Sequence, residues 1–181
     1  MTSESESPRL TLPVGDRDHS SGSADAPVTL VEYGDYQCPY CGQAYPIVEE
    51  VRKRLGERLR FVFRNFPLSQ VHEHAEHAAE AAEAAAAQGK FWAMHDYLFE
   101  HQQQLDDDHL ARYAQALGLD TVRFETAMRE HSEQPRVRED FMSGVRSGVN
   151  GTPTFFVNGA RYDDSWDLDT LLAALTEAAG G

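Results

Sequence analysis

Two cysteines carry the chemistry that this sequence is expected to perform. Cys38 and Cys41 are the only cysteines in the chain, and they stand in the order Cys38-Pro39-Tyr40-Cys41. At the start of a helix this spacing brings both sulfurs within bonding distance, and the first sulfur lies nearest to the unpaired amides of the helix N-terminus. Those amides and the helix dipole favour a thiolate, so they lower the pKa of Cys38 and make it a nucleophile. Cys41 is then the thiol that attacks a mixed disulfide formed at Cys38 and releases the partner.

A pair of this kind is also half of many zinc sites. The other half would have to come from His72, His74 and His77 or from carboxylates. These histidines follow about 30 residues downstream, beyond the usual finger spacing of roughly 12–15 residues. A zinc site is therefore disfavoured, and so is a buried, inert pair, because a strand before and a helix after the pair are typical of redox-active cysteines.

The segment after residue 70 is rich in residue types that bind metals: His72, Glu73, His74, Glu76, His77 and Glu80. On a helix, His74 shares a face with His77, and Glu73 shares a face with Glu76, His77 or Glu80. The spacing fixes no third ligand. We therefore interpret the segment as a solvated helix start and predict no bound metal.

The elements around the cysteines are those of an α/β protein. A β-rich run at 28–33, an apolar helical pattern from Pro39 to a stop at Gly56, and a second β-rich run at 59–64 predict a βαβ unit with a parallel strand pair. Residues 70–150 contain no convincing strand. The predicted helices there lie around 75–87, 91–99, 110–117, 122–128 and 137–145. Strands at 154–157 and 160–162, joined by Asn158-Gly159, and a helix at 168–175 close the chain.

The predicted fold class is α/β, with a central mixed sheet and an all-helical insertion of about 80 residues. We expect an α/β domain formed by 26–69 and 150–181, and an inserted helical subdomain over 70–149. Residues 1–25 are predicted to form a flexible tail, because their Ser, Asp and Gly content offers almost nothing to bury. The folded unit is then expected to begin near Pro27.

Length and charge limit the partners. A chain of 181 residues is expected to form one domain. Its net charge of -14 disfavours nucleic acid and anionic membrane surfaces as partners. The N-terminal sequence lacks the apolar run of a secretory signal, and no stretch of about 20 apolar residues indicates a membrane span. As written, the sequence predicts a cytoplasmic protein, and we expect a monomer.

The motifs together resemble a known superfamily. Cys38-Pro39-Tyr40-Cys41 after a strand, a helical insertion, and Gly151-Thr152-Pro153-Thr154 before a ββα unit resemble the thioredoxin fold, and the insertion makes the chain similar to the DsbA-like thiol-disulfide oxidoreductases. The resemblance spans about residues 27–179. It implies that Pro153 is a cis-proline against the active-site disulfide, that the Thr152 backbone pairs with an extended substrate, and that Glu32 is a buried acid beneath the second cysteine.

The resemblance implies a protein disulfide oxidoreductase with no cofactor beyond the Cys38–Cys41 dithiol. Tyr36, Pro39 and Tyr40 are expected to line a shallow substrate groove with Thr152. Strongly oxidising members of the family have a histidine between the two cysteines, and this chain has none. We therefore expect a reduction potential between those of thioredoxin and DsbA. Two alternatives stay open: a non-catalytic peptide-binding module with a redox-sensing pair, and a glutathione-dependent reductase.

Overall fold

A computed structural model describes residues 6–181, and its centre is a five-stranded mixed sheet. The strands are β1 (His19–Ser21), β2 (Val28–Gly34), β3 (Leu59–Asn65), β4 (Thr154–Val157) and β5 (Ala160–Tyr162). Their order across the sheet is β1-β3-β2-β4-β5, with β2 and β3 parallel and the other neighbours antiparallel. The predicted fold class, including the parallel pair and the closing hairpin, is confirmed.

Helix α1 (Pro39–Leu55) connects the two parallel strands and carries the cysteine pair at its first turn. It begins at a proline, whose missing N–H would have no partner in a first turn. Its buried face consists of Cys41, Ala44, Val48, Val51 and Leu55. The helix ends at Gly56, whose φ of 53° suits a residue without a Cβ, and a short 3₁₀ turn (Gly56–Arg58) leads into β3.

The insertion consists of five helices: α2 (Ala75–Ala86), α3 (Phe91–Glu100), α4 (Asp107–Ala116), α5 (Thr121–Glu130) and α6 (Gln134–Arg146). Helix α2 is central among them, and its small buried alanines are in contact range of α3, α4, α5 and α6. Contacts of α3 with α1 and of α6 with β3 attach the insertion to the sheet. A last helix, α7 (Leu168–Ala178), packs against α1 and β2. Within residues 6–181, no helix has the length and apolar character needed to cross a bilayer.

The N-terminal segment corrects the expectation of a flexible tail over 1–25, of which residues 1–5 lie outside the described residues. Strand β1 pairs antiparallel with β3, and the Leu10 amide donates to the Gly159 carbonyl at 2.9 Å. The fully buried Arg64 guanidinium binds both carboxylate oxygens of Asp18, at 2.9 and 3.0 Å. Backbone pairing and buried ion pairs hold the segment together with the packing of Leu10 and Val14 against the core, and the polar composition of the segment does not reveal these contacts. The folded unit therefore begins before Pro27, while the division between 26–69, 70–149 and 150–181 stays a prediction.

Candidate active site

Cys38 and Cys41 lie where the polypeptide leaves the sheet and enters α1. Cys38 is the N-cap residue of the helix, and Cys41 lies in its first turn. Both thiols are free, and both residues are buried, Cys38 with 4% of its surface exposed and Cys41 with none. The order of exposure is the one needed for a pair in which the first sulfur meets a partner and the second stays behind it.

The surroundings of Cys38 favour its thiolate. A hydrogen bond with the Cys41 side chain contributes most and lowers the pKa of Cys38 to about 5, against the opposing effect of burial. The value of about 5 includes smaller lowering contributions from Thr152 and from the backbone amides of Cys41 and Tyr40. Cys38 stands at the helix N-terminus, where backbone amides without helical partners favour a negative charge, and the prediction that this position activates the sulfur stays a prediction.

Cys41 and Glu32 are buried, and both interact electrostatically with Cys38. Burial raises the pKa of the Cys41 thiol well above its ordinary value, and the Glu32 carboxylate raises it further. Burial also raises the pKa of Glu32 to about 8, with a smaller contribution from Cys38. The Glu32 Oε2 atom has no hydrogen-bond partner. Glu32 lies on β2, buried as the resemblance implies, and it is not turned to solvent.

The segment before β4 faces the first cysteine. The peptide bond between Thr152 and Pro153 is cis, which is the geometry that the resemblance implies. The Cys38 thiol donates to the Thr152 carbonyl, with the sulfur 3.6 Å from the oxygen. Thr152 therefore contacts Cys38 directly, and Pro153 follows it at the entrance to β4.

Asp35 is the site residue that the sequence analysis missed. It is 1% exposed, and its Oδ1 atom accepts hydrogen bonds from the amides of Gln37 and Cys38 at 2.7 and 3.2 Å. Its Oδ2 atom accepts from the Leu68 amide at 2.9 Å and pairs with His72 Nδ1 at 2.8 Å. One carboxylate thus holds the cysteine loop to the segment that follows β3. The sequence pattern that could have predicted this role is an aspartate three residues before the helix N-cap, because aspartate side chains accept hydrogen bonds from backbone amides two or three residues further along the chain.

Gln102 brings the helical insertion to the same loop. Its Nε2 atom donates to the carbonyls of Tyr36 and Cys38, each at 2.9 Å. Gly42 makes room for this side chain, because a Cβ added there would lie 2.0 Å from Gln102 Oε1. No local pattern reveals this contact, which joins residues more than sixty positions apart.

The structure separates the residues expected in the substrate groove. Tyr40 is 63% exposed, and Pro39 beside it is exposed as well. Tyr36 is buried in the core, where it packs against Phe99 and its hydroxyl bonds to His95 Nδ1 at 2.9 Å. This corrects the expectation that Tyr36 contacts a substrate: the apolar ring of the first loop tyrosine completes the core, and only the second tyrosine reaches the surface.

The histidines of the 72–77 segment point to different partners. His72 pairs with Asp35, His74 Nε2 lies 3.0 Å from Glu73 Oε1, and His77 Nδ1 lies 2.8 Å from Asp107 Oδ1. In the part of the chain that the structure describes, no group of metal-ligating side chains includes either cysteine. The structure therefore does not assemble the alternative zinc site.

Comparison with known proteins gives the same architecture. A family model described as Thioredoxin matches residues 15–177. A thioredoxin-like oxidoreductase from Silicibacter pomeroyi superposes with a TM-score of 0.80 at 29% identity, covering 92% of this chain and 95% of that one. BdbD from Bacillus subtilis, in its oxidised form, superposes with a TM-score of 0.82 at 23% identity, covering 97% of each chain. These likenesses confirm the predicted thioredoxin fold with its helical insertion.

Curated relatives are longer proteins. The chain is 47% identical over 169 residues to a Na(+)/H(+) antiporter, NhaA 1, from Mycobacterium sp. strain KMS, and 49% identical over 173 residues to one from Salinispora arenicola. These matches cover 92% and 95% of this chain but only 28% and 26% of the relatives. The chain thus spans about a quarter of the length of these proteins, and the similarity concerns that share alone.

Proposed function

Because this chain belongs to the thioredoxin family, we propose that it exchanges disulfides with protein cysteines through the Cys38–Cys41 pair. The likeness to a thioredoxin-like oxidoreductase over 92% of the chain supports an oxidoreductase, which we take to be of the DsbA-like kind because of the helical insertion. The observation that carries the proposal is a single arrangement: Cys38 is the N-cap residue of α1, Cys41 lies buried in the first turn of the same helix, and both thiols are free. The lowered pKa of Cys38 supports the same assignment. Such a pair supplies a nucleophile at neutral pH and a thiol that can resolve the product.

In the reducing direction the reaction takes two exchange steps. The Cys38 thiolate attacks one sulfur of a substrate disulfide, a new S–S bond forms, and the other substrate sulfur leaves as a thiolate that takes up a proton. Cys41 then loses its proton and attacks the Cys38 sulfur, which releases the second substrate thiolate and leaves a Cys38–Cys41 disulfide. The substrate gains two electrons and the pair loses two. In the oxidising direction the same steps run backwards.

Glu32 is proposed to take the proton that Cys41 must lose. Cys41 is fully buried and its pKa is raised by burial, so it needs a base within the protein. Glu32 acts on it electrostatically and has an oxygen without a hydrogen-bond partner. A pKa of about 8 lets this carboxyl group gain and lose a proton near neutral pH.

Substrate contact is proposed at Thr152, Pro39 and Tyr40. The Thr152 carbonyl lies against the Cys38 sulfur, so an extended chain whose sulfur replaces that contact passes beside the Thr152 backbone. Exposed Pro39 and Tyr40 flank the sulfur on the helix side. The expectations of no further cofactor, of a monomer and of a cytoplasmic location stay predictions, as does the use of glutathione.

Reduction of insulin by dithiothreitol in the presence of the protein tests the assignment. Cys38→Ser should abolish the acceleration, because no nucleophile remains. Cys41→Ser should retain the first step and accumulate a mixed disulfide with the substrate, visible on a non-reducing gel. Both variants should keep the circular dichroism spectrum of the parent. Unimpaired turnover by both would refute the assignment, and a titratable disulfide without repeated turnover would favour the binding module.

The equilibrium potential of the pair, measured against glutathione buffers, ranks oxidase against reductase. A value near about -270 mV, as in thioredoxin, favours reduction, and a value near about -120 mV, as in DsbA, favours oxidation. Saturable turnover with glutathione and its reductase would identify the glutathione-dependent alternative.

A further inference from the structure

A second constellation lies in the helical insertion, apart from the cysteine pair. His77 and Glu80 lie one turn apart on α2, and His131 ends α5. Each offers a ligand atom, and these atoms all lie within 4.8 Å of one another. His77 and Glu80 belong to the histidine- and glutamate-rich segment of the sequence, and His131, some fifty positions downstream, joins them in the fold.

Glu80 is the buried member of this group. It is 1% exposed; its Oε1 atom lies 3.0 Å from His131 Nδ1, and its Oε2 atom is buried with no hydrogen-bond partner. A buried carboxylate oxygen without a partner is costly, because its hydration is lost and nothing replaces it. The two histidines are about half exposed, so an ion can reach the group from solvent.

Asp107 adds the support that metal-binding histidines commonly have. Its Oδ1 atom lies 2.8 Å from His77 Nδ1, which fixes the ring and leaves Nε2 of His77 as the free nitrogen. Asp107, His77 and His131 also line an open pocket of about 410 Å³.

We propose that His77, Glu80 and His131 form a binding site for Zn²⁺ or a similar divalent transition-metal ion. Two imidazoles and one carboxylate suit such an ion, whereas Ca²⁺ and Mg²⁺ prefer sites made of oxygen ligands. Three protein ligands leave one position of a tetrahedral ion open, and the pocket is where water or a ligand would occupy it. Because α2 and the end of α5 would share the ion, the ion would also join these two helices. The proposal is independent of disulfide exchange.

Calorimetric titration of the full chain with Zn²⁺ tests the site. The Cys38→Ser/Cys41→Ser double variant serves as the background, since free thiolates also bind zinc. We expect one Zn²⁺ per chain, and at least tenfold weaker binding after His131→Asn. Asparagine is the chosen replacement because His131 has a φ of 52°, and asparagine tolerates this left-handed conformation. Asp107→Asn, which removes support and no ligand, should weaken binding about 10–100-fold.

The matched control is His109→Ala. His109 belongs to the same insertion and pairs with Asp106, but it is not part of the group. Its replacement should leave Zn²⁺ affinity unchanged. Zn²⁺ should also raise the melting temperature of the background protein and not that of the His131→Asn variant, because only an ion bound to the folded state stabilises it. Absence of Zn²⁺ binding in the background, or binding that His131→Asn leaves intact, would overturn the proposal.

Discussion

The acidity of Cys38 depends first on Cys41, and Cys41→Ala tests that dependence. The hydrogen bond with the Cys41 side chain is the largest contribution that brings the pKa of Cys38 to about 5. Alanine removes the donor but keeps the backbone amides of the first helical turn and the Thr152 side chain, which also lower the pKa. The pKa of Cys38 should therefore rise, but only part of the way to the ordinary thiol value.

The size of the rise follows from the strength of one charge-assisted hydrogen bond. Such a bond contributes about 1.5–3 kcal/mol. At about 1.4 kcal/mol per pKa unit, this corresponds to a rise of about 1–2 units, to a pKa between about 6 and 7. At pH 7 the ratio of thiolate to thiol should fall from about 100:1 to between about 10:1 and 1:1.

Two measurements report this titration: the ultraviolet absorbance of the thiolate and the rate of alkylation by iodoacetamide, each followed against pH. The transition at low pH belongs to Cys38, because burial holds the pKa of Cys41 well above its usual value. Cys41→Ser is the matched control, since its hydroxyl can still donate and should keep the pKa below that of the alanine variant. The reasoning fails if Cys41→Ala titrates like the parent, or if the parent itself titrates at an ordinary thiol pKa.

Three further predictions concern Glu32, the contact between Gly42 and Gln102, and the N-terminal segment. The pKa of Glu32 is about 8 in the folded protein against an ordinary 4.5, so the folded state holds a proton that the unfolded state releases, and the protein loses stability as the pH rises from about 4.5 through 8. The urea midpoint of Glu32→Gln should equal that of the parent at pH 4 and exceed it at pH 9. Equal midpoints at both pH values would contradict the raised pKa. Gly42→Ala should lower the melting temperature, because the new Cβ would displace the Gln102 side chain. Adding Gln102→Ala should recover part of this loss. Strictly additive effects of the two substitutions would show that residues 42 and 102 do not touch. Asp18→Asn should cost about 3–5 kcal/mol in urea unfolding because it leaves the Arg64 charge buried without its partner, and a loss within 1 kcal/mol would mean that the N-terminal segment is not held there.

Local patterns predicted the parts of the fold and site that depend on neighbours in the sequence. The βαβ unit follows from apolar periodicity, and the position of Cys38 at the helix start follows from the proline after it. Both depend on atoms within a few residues of each other. The resemblance supplied Glu32 and Pro153, whose roles depend on the sheet bringing β2 and β4 together.

Distant contacts account for what the sequence did not predict. Gln102 reaches the cysteine loop from the insertion, and His131 meets Glu80 across helices, so neither has a signal within its own segment. Strand β1 was not predicted, because its polar composition is typical of a disordered segment. The segment is ordered because its backbone pairs with β3. Tyr36 was misplaced because burial of one loop tyrosine and exposure of the next depends on the packing of α3 beneath them.

The hydrogen bonds of Asp35 hold Cys38, whose pKa is strongly lowered, in one place. In the proposed exchange, charge forms and disappears on Cys38, and a loop free to follow that charge would move the sulfur away from the helix N-terminus. The Asp35 carboxylate binds the Cys38 amide on one side and the segment after β3 on the other, while Gln102 holds the Cys38 carbonyl. With both backbone groups of Cys38 fixed, only its side chain needs to respond when the thiolate becomes a disulfide. Pre-organisation of this kind stabilises charge without reorganising the backbone at each step, so Asp35 and Gln102, which hold the loop, belong to the proposed site as positioning residues.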